Sequence, residues 1–512
     1  MSKHEAYSKV STGIETLDEI LHGGLPKGEV YVVNGSPGTG KTTLALHFLK
    51  AGAKAGEKVL CLALAQRVES LKQSLDSIGL DISGITFEDL STVAAIKALT
   101  ERQTIFDTSE AELVETMRAL MEKIETTQPT RVVFDGVSQL RMLAGNSMIY
   151  RQQLFTLRDY MASRDITVVL TDSQGVVSGD HELTTMANGI ITLSVETTEH
   201  GSDHRYLRVS KLRGSDYAPG VHDIEITDSG MQIYQSHRQS VNAKMADAKT
   251  IQLTDLEPRK SGLDSLDKLT GGGLLPGTTC LLVGPSGVGK TSIATLFMHY
   301  FAKQQGKSCI LLFDESINMF LRRSRGLGMD LIPFIEKDYI HLHELSFGDI
   351  TPGKLSSLIK DEVENWGADI VAIDTLTGYL NAMPSKVRLI AQMHEIMRRL
   401  SQQGVLTFLM VAQHGMVGLS LDGSVDISYL ADTVLLFRHF EADGEIHQAV
   451  SVYKNRYSTH EKHICEVIIK PGGVSISDPL DKLSGILSGL PHRSTRAPVC
   501  PDDMMQLPIT DE

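Results

Sequence analysis

Gly35-Ser36-Pro37-Gly38-Thr39-Gly40-Lys41-Thr42 fits the pattern G-x-x-x-x-G-K-[ST] and follows the apolar run Val30 to Val33. A Gly-rich loop between a strand and a helix turns successive backbone N–H groups towards phosphate oxygens. In such a loop Lys41 neutralises the outer phosphates and the Thr42 hydroxyl ligates Mg²⁺, with Thr43 next along the helix. The pattern returns at Gly284-Pro285-Ser286-Gly287-Val288-Gly289-Lys290-Thr291, behind Leu281-Leu282-Val283 and ahead of Ser292. One match can be a chance glycine-rich turn. Two matches in the same strand–loop–helix setting predict a chain that binds nucleotide with Mg²⁺ in two places.

Phosphate loops also need a carboxylate for the Mg²⁺ hydration shell, placed at the end of a hydrophobic strand. Arg131-Val132-Val133-Phe134-Asp135 and Ile370-Val371-Ala372-Ile373-Asp374 supply one each, which pairs Thr42 with Asp135 and Thr291 with Asp374 as metal-side candidates. Cleaving a γ-phosphate needs a further group to orient or deprotonate the attacking oxygen, at the end of the strand beside the loop. Anchoring the two copies on Gly79 and Gly328 sets Ala65-Gln66 opposite Asp314-Glu315. The second half therefore has two carboxylates for general-base work, and Asp314, Glu315 and Lys290 are its expected catalytic groups. The first half has none there, since Gln66 can orient a water but cannot take its proton. Lys211-Leu212-Arg213 is answered by Lys454-Asn455-Arg456. Residues two apart on a strand share a face, so each Lys/Arg pair can reach one anion together.

The elements that must hold these groups repeat as well. Ser11-Thr12-Gly13-Ile14-Glu15-Thr16-Leu17-Asp18 aligns with Lys260-Ser261-Gly262-Leu263-Asp264-Ser265-Leu266-Asp267, and the phosphate loops share the same offset of 249 residues. A period of this length is a duplicated domain. Each half alternates short apolar runs (Val30–Val33, Lys58–Leu64, Arg131–Phe134, Thr167–Leu170; then Cys280–Val283, Ser308–Phe313, Ile370–Ile373, Val405–Val411) with amphipathic helices. That alternation predicts α/β domains with a mainly parallel sheet covered by helices, and the β-rich ends of each half predict antiparallel edge strands. The expected domains are 1–240 and 251–480, with a linker at 241–250 and a mobile Ser-, Gly- and Pro-rich tail at 481–512. A net charge of -14 argues against a non-specific grip on nucleic acid. The five cysteines form no C-x-x-C pair and the 18 histidines show no ligand spacing, so no metal site beyond Mg²⁺ is expected. A polar start and the absence of long apolar runs predict a cytoplasmic protein that does not enter a membrane.

Two such halves, each opening with [ST]-G-x-x-x-L-D and Gly-Gly before its phosphate loop, resemble the circadian clock ATPase family KaiC, which is RecA-like. The resemblance runs from about Ser11 to Arg493 and includes the K-x-R strands and the ending Leu487-Ser488-Gly489-Leu490-Pro491-His492-Arg493. It implies two tandem RecA-like P-loop NTPase domains, a double-ring homohexamer with ATP at subunit interfaces, slow ATP hydrolysis, and serine/threonine autophosphorylation in the second tier. It implies partners of the KaiB type or other signalling proteins. It also places Lys211, Arg213, Lys454 and Arg456 on the ATP of the next subunit. The catalytic carboxylate pair falls on Asp314 and Glu315, and the phosphoacceptors on Ser428 and Tyr429, before Ala431-Asp432-Thr433. Three positions depart from the family pattern. Ala65-Gln66 replaces a carboxylate pair, which implies a first domain impaired in hydrolysis. Tyr429 stands where a threonine is usual, and Tyr457 where a glycine follows K-x-R. Two other readings share these residues: a RecA-like DNA-dependent ATPase, and a nucleotide-dependent signalling scaffold without kinase activity.

Overall fold

The computed structural model describes residues 8–90, 108–144, 147–173, 182–197, 203–236, 256–348, 350–382, 386–412, 428–488 and 492–493. The chain divides into two compact units, Met1–Asn242 with Thr351–Ser357, and Ala243–Ile350 with Leu358–Glu512. The expected linker at 241–250 lies outside the described residues.

Each unit is built on a nine-stranded sheet. In the first, the strands are β1 (Val30–Gly35), β2 (Val59–Ala63), β3 (Thr86–Asp89), β4 (Arg131–Asp135), β5 (Thr167–Ser173), β6 (Gly189–Glu196), β7 (His204–Leu212), β8 (His222–Thr227) and β9 (Gly230–Tyr234). Their spatial order is β9-β8-β7-β6-β1-β5-β4-β2-β3. Strands β3 to β6 on that path run parallel, and β7 to β9 add antiparallel to the β6 side. The second unit repeats this with β10 (Thr279–Gly284), β11 (Ser308–Leu312), β12 (Ile340–Glu344), β13 (Ile370–Asp374), β14 (Leu406–Ala412), β15 (Thr433–Ala442), β16 (Glu445–Asn455), β17 (Ile464–Lys470) and β18 (Gly473–Pro479), in the order β12-β11-β13-β14-β10-β15-β16-β17-β18. The central strands are buried along their whole length because helices cover both faces, which is why they read as unbroken apolar runs. The edge strands β3 and β12 were not legible from periodicity. Their residues, Thr-Phe-Glu-Asp and Ile-His-Leu-His-Glu, alternate apolar with polar and are half-buried.

Helix α1 (Lys41–Lys54) and helix α2 (Lys290–Lys303) follow the central strands and pack on them. Each begins after a left-handed glycine, Gly40 at φ 98° and Gly289 at φ 94°. A Cβ on Gly40 would sit 2.7 Å from Met231 Cε, and one on Gly289 2.8 Å from Ile469 Cδ1. Both the backbone turn and the space under it therefore require glycine.

The repeated [ST]-G-x-x-x-L-D stretch proves to be a turn clasp. Asp18 Oδ1 accepts from the Thr12 N–H and hydroxyl, each at 2.7 Å, and Asp267 Oδ1 accepts from the Ser261 N–H and hydroxyl, each at 2.8 Å. The start of the expected mobile tail is packed rather than loose. Leu483–Ser484 pairs with His492–Arg493, and Ile486 is buried with Phe440 and Ala449, because apolar residues there cover the long β15–β16 ribbon. Residues 489–491 and 494–512 lie outside the described residues.

Ser261 and Asp267 are both buried. Asp267→Ala strands the Ser261 donors, and its expected cost to the second unit is about 2–4 kcal/mol. The exposed neighbour Asp264→Ala should change stability by no more than about 0.5 kcal/mol. Urea unfolding of both variants checks the pair; equal midpoints would show that the clasp contributes nothing.

Candidate functional site

The phosphate loops lie at the carboxyl ends of the parallel strands, where open α/β sheets form their ligand crevice. In the first unit Lys41 folds over its own loop, donating from Nζ to Gly35 O at 2.9 Å and Ser36 O at 2.8 Å. Lys290 does the same with Gly284 O at 2.8 Å and Pro285 O at 2.6 Å. Burial lowers both amines against the pull of nearby carboxylates, and brings Lys290 down to about 8 despite Asp374. Thr42 Oγ1 donates to Asp135 Oδ1 at 2.9 Å, and Thr291 Oγ1 to Asp374 Oδ2 at 2.6 Å. Asp374 is nearly fully buried, and burial holds its carboxyl above the usual range, with the Thr291 hydrogen bond opposing. Gly38 and Gly287, both at φ 81°, have open space where a Cβ would point. An open glycine cradle, a buried ammonium and a threonine hydroxyl joined to a carboxylate form a donor set that fits nucleotide phosphates and Mg²⁺.

The two units part company beside this shared frame. In the second, Asp314 accepts a hydrogen bond from Thr375, and Glu315 Oε2 lies 2.6 Å from Arg323 Nη2. Burial raises the Glu315 carboxyl, Arg323 opposes this, and the Asp374 charge adds to it. Three carboxylates thus share one neighbourhood at the strand ends, and the Arg323 guanidinium opposes their charge. In the first unit the corresponding contact is apolar. Gly136 follows Asp135 as Thr375 follows Asp374, and a Cβ on it would lie 2.4 Å from Ala65 Cβ. Ala65 and Gly136 close on each other where Asp314 and Thr375 exchange a hydrogen bond.

Reading the sequence missed Thr171 and Asp172. Thr171 Oγ1 donates to Asp135 Oδ1 at 2.7 Å and accepts from the Gly136 N–H at 2.8 Å, so it braces the metal-side carboxylate. Asp172 stands level with Asn34 at the end of β5, and burial raises its carboxyl against Arg141 and Lys41. The matching register in the second unit, level with Val283, holds Val411. Their place at the end of the strand beside β1 was the available signal, but Thr-Asp after an apolar run also reads as an ordinary turn.

The K-x-R pairs do not join the phosphate loop of their own unit. Lys211 is level with Ile190, which is itself level with Val32, and the Arg213 N–H donates to Asn188 O at the foot of β1. Arg213 thus lies about 16 Å along the strands from Gly35, at roughly 3.3 Å per residue. Lys211 Nζ donates to Thr184 O at 2.7 Å, and Lys454 Nζ to Ala431 O at 2.7 Å. Arg456 Nη1 lies 3.3 Å from Asp432 Oδ1. Gly214 takes φ 75° after Arg213, whereas Tyr457 is not left-handed, so the two turns after K-x-R differ in shape.

Ser428 and Tyr429 form a single 3-10 turn, Ser428–Leu430. Tyr429 is 51% exposed and stacks on His394 with ring centroids 6.5 Å apart. Asp432 ties this turn to the start of β10, accepting from the Thr279 N–H at 3.0 Å while its own N–H donates to Thr279 O at 2.9 Å. The turn and the Lys454/Arg456 pair are therefore neighbours at the foot of β10. The phosphate loop of the same unit begins at the head of that strand.

The model of the family described as "ATPase: KaiC" matches residues 10–238 and 259–481. Among curated relatives, "Circadian clock oscillator protein KaiC" of Synechococcus elongatus is 26% identical over 507 residues, covering 96% of this chain and 94% of its own. The protein of that name from Picosynechococcus sp. is 26% identical over 495 residues, 95% and 92% of the two chains. The one from Prochlorococcus marinus is 26% identical over 512 residues, 96% and 97%. Matched twice over by the family model, and carrying two copies of the phosphate-loop frame on two sheets of one topology, this chain belongs to the KaiC ATPase family.

Proposed function

We propose that the chain is an ATP-hydrolysing autokinase that works as a homohexamer, with MgATP in both units and phosphoryl transfer in the second. The observation that carries this reading is the split of the second unit's site. Lys290, Thr291, Asp314, Glu315 and Asp374 stand at the head of the central strand, while Ser428, Tyr429, Lys454 and Arg456 stand at its foot. The turn lies about 16 Å of strand from the phosphate loop, beyond the reach of any side chain, and Lys454, its backbone level with Leu281, turns its amine away from the loop to Ala431 O. A chain with its donor end and acceptor end so divided completes a site only against a second copy, which closed rings of identical subunits provide.

In that arrangement Glu315 or Asp314 takes the proton of the attacking hydroxyl, from water for hydrolysis or from Ser428 of the neighbour for transfer. The new bond forms to the γ-phosphorus as its bond to the β,γ-bridging oxygen breaks, and ADP leaves. Mg²⁺, when bound through Thr291 and Asp374, supplies neutralisation of the phosphate oxygens. Lys454 and Arg456 approach the phosphates from the neighbouring chain. Ser428 is the favoured acceptor, and Tyr429 already packs on His394. The first unit holds nucleotide chiefly for assembly, since a ligand bound at an interface stabilises the assembled state. Partners of the KaiB type or other signalling proteins, and a cytoplasmic setting, accompany this reading. No described helix is long and apolar enough to cross a membrane.

Asp172 favours a second reading for the first unit, in which its carboxylate beside Lys41 sustains slow turnover. Residual ADP release by Lys290→Ala that disappears on adding Asp172→Asn would establish it.

Glu315→Gln should lower ADP release by about 100-fold or more, the range of a lost general base, and abolish phosphate on Ser428 in phosphopeptide mass spectrometry. Lys41→Ala should shift the sedimentation profile towards smaller species and lower second-unit turnover only in step with the loss of assembly, so that activity returns at high protein concentration. Turnover lost with Lys41→Ala and kept with Lys290→Ala would reverse the assignment. The lowered Lys290 amine sets a pH dependence. Above about 8 it is mostly neutral in the free chain, and nucleotide phosphates favour its charged form. Binding should therefore take up protons and weaken as pH rises through that value. Calorimetry in buffers of different ionisation enthalpy reads the uptake, which should fall in a Lys290→Arg chain.

A further inference from the structure

A polar cluster in the second unit has no part in the nucleotide site. Strand β11 pairs in parallel with the edge strand β12, Cys309 level with His341 and Leu311 with His343. Paired and alternate residues share a face, so Cys309, His341 and His343 project to the same side of the sheet. Glu362 meets them from a π-helical turn, Asp361–Trp366, a rare conformation that is frequent at functional sites. Its carboxylate bridges the two imidazoles, Oε2 lying 2.8 Å from His341 Nδ1 and Oε1 2.8 Å from His343 Nε2. Cys309 Sγ, a ring nitrogen of His343 and a Glu362 oxygen all lie within 4.8 Å of one another.

An outer layer fixes these groups. His341 Nε2 lies 2.9 Å from Asp338 Oδ1, and Trp366 Nε1 donates to Asp338 Oδ2 at 2.9 Å. The His341 ring stacks on Trp366, centroids 3.6 Å apart and planes at 13°. A carboxylate behind a histidine that in turn faces the inner group is the usual second layer of a metal site. Cys309 and Glu362 are buried while His343 is part-exposed at the sheet edge, which leaves a path from solvent. The first unit has Leu60, Thr86 and Glu88 at the registers of Cys309, His341 and His343. The cluster is thus an addition to one unit and no part of the duplicated ATP-binding frame.

We infer that Cys309, His343 and Glu362 bind a zinc ion, with His341 as the positioning residue that holds the second oxygen of Glu362. A thiolate, an imidazole and a carboxylate form a donor set for Zn²⁺ and not for Mg²⁺ or Ca²⁺, which take oxygen ligands. Three protein ligands and an open edge leave the fourth tetrahedral position to water. On binding, the Cys309 sulfur–hydrogen bond gives up its proton to solvent and the sulfur takes the metal. Cys309 lies about 16 Å along the strand direction from Asp314, at roughly 3.3 Å per residue. The ion therefore clips the π-helical turn to the edge strand at a distance from the chemistry. The proposed site departs from the expectation of no metal beyond Mg²⁺, since strand pairing gathers ligands that no sequence spacing announces.

The test uses untagged full-length protein freed of metal by a chelator. Titration with Co²⁺ should give one ion per chain and a thiolate-to-cobalt charge-transfer band, which Zn²⁺ abolishes by displacement. Zn²⁺ should also raise the unfolding midpoint, by an amount that grows with the logarithm of its free concentration above Kd. Cys309→Ser should lose the band, Glu362→Gln should lose stoichiometric binding, and Cys61→Ser should keep both. His341→Asn should keep the band while the metal affinity drops by about 10–100-fold, as an outer-layer residue requires. Should Cys309→Ser fail to fold by circular dichroism, Glu362→Gln and His341→Asn carry the test. A wild-type chain with no charge-transfer band, or binding unchanged in Glu362→Gln, overturns the proposal.

Discussion

A threonine hydroxyl donating to a buried aspartate, Thr42 to Asp135 and Thr291 to Asp374, is the contact on which the rest depends. It joins the first turn of the helix after the phosphate loop to the end of a strand two places away across the sheet. The aspartates are buried and the threonines half-buried, so the geometry is set by the packing of helix on sheet. Burial raises the cost of the Asp374 charge and lowers the Lys290 amine, which leaves the site short of the counter-charges that a nucleotide and its metal bring. The phosphate loop, the left-handed glycine that starts the helix and the parallel strands beneath all serve to keep this pair in register.

Duplication has preserved that frame while relaxing what surrounds it. The second unit keeps Asp314, Glu315 and Arg323 around the strand ends, a charged set that one guanidinium offsets only in part. In the first unit Ala65 closes against Gly136, and Thr171 braces Asp135 instead. The edge strands have diverged further: Thr86 and Glu88 in one unit answer His341 and His343 in the other. Edge positions bear few packing constraints, so new polar chemistry can accumulate there without disturbing the core.

Central strands were legible because full burial on both faces writes an unbroken apolar run, as at Val30–Gly35 and Ile370–Asp374. The edge strands Thr86–Asp89 and Ile340–Glu344 were not, since half-burial leaves a pattern that loops share. The Gly-Lys-Thr spacing identified the phosphate loops because local backbone geometry demands those residues in that order. It said nothing of Thr171 or Asp172, whose roles come from lying beside another strand.

From residue order alone came the duplication, the α/β class, both phosphate loops, their aspartates and the missing carboxylates at Ala65-Gln66. Each of these is a local pattern or a copy of one. Tertiary structure alone decided which groups meet. Lys454, Arg456 and the Ser428–Tyr429 turn fall at the foot of the strand whose head carries Lys290, and Cys309, His343 and Glu362 converge from three separate elements. The reason is physical: a contact between strands is set by register and direction in the sheet, which the packing of the whole domain determines and no short stretch of sequence encodes.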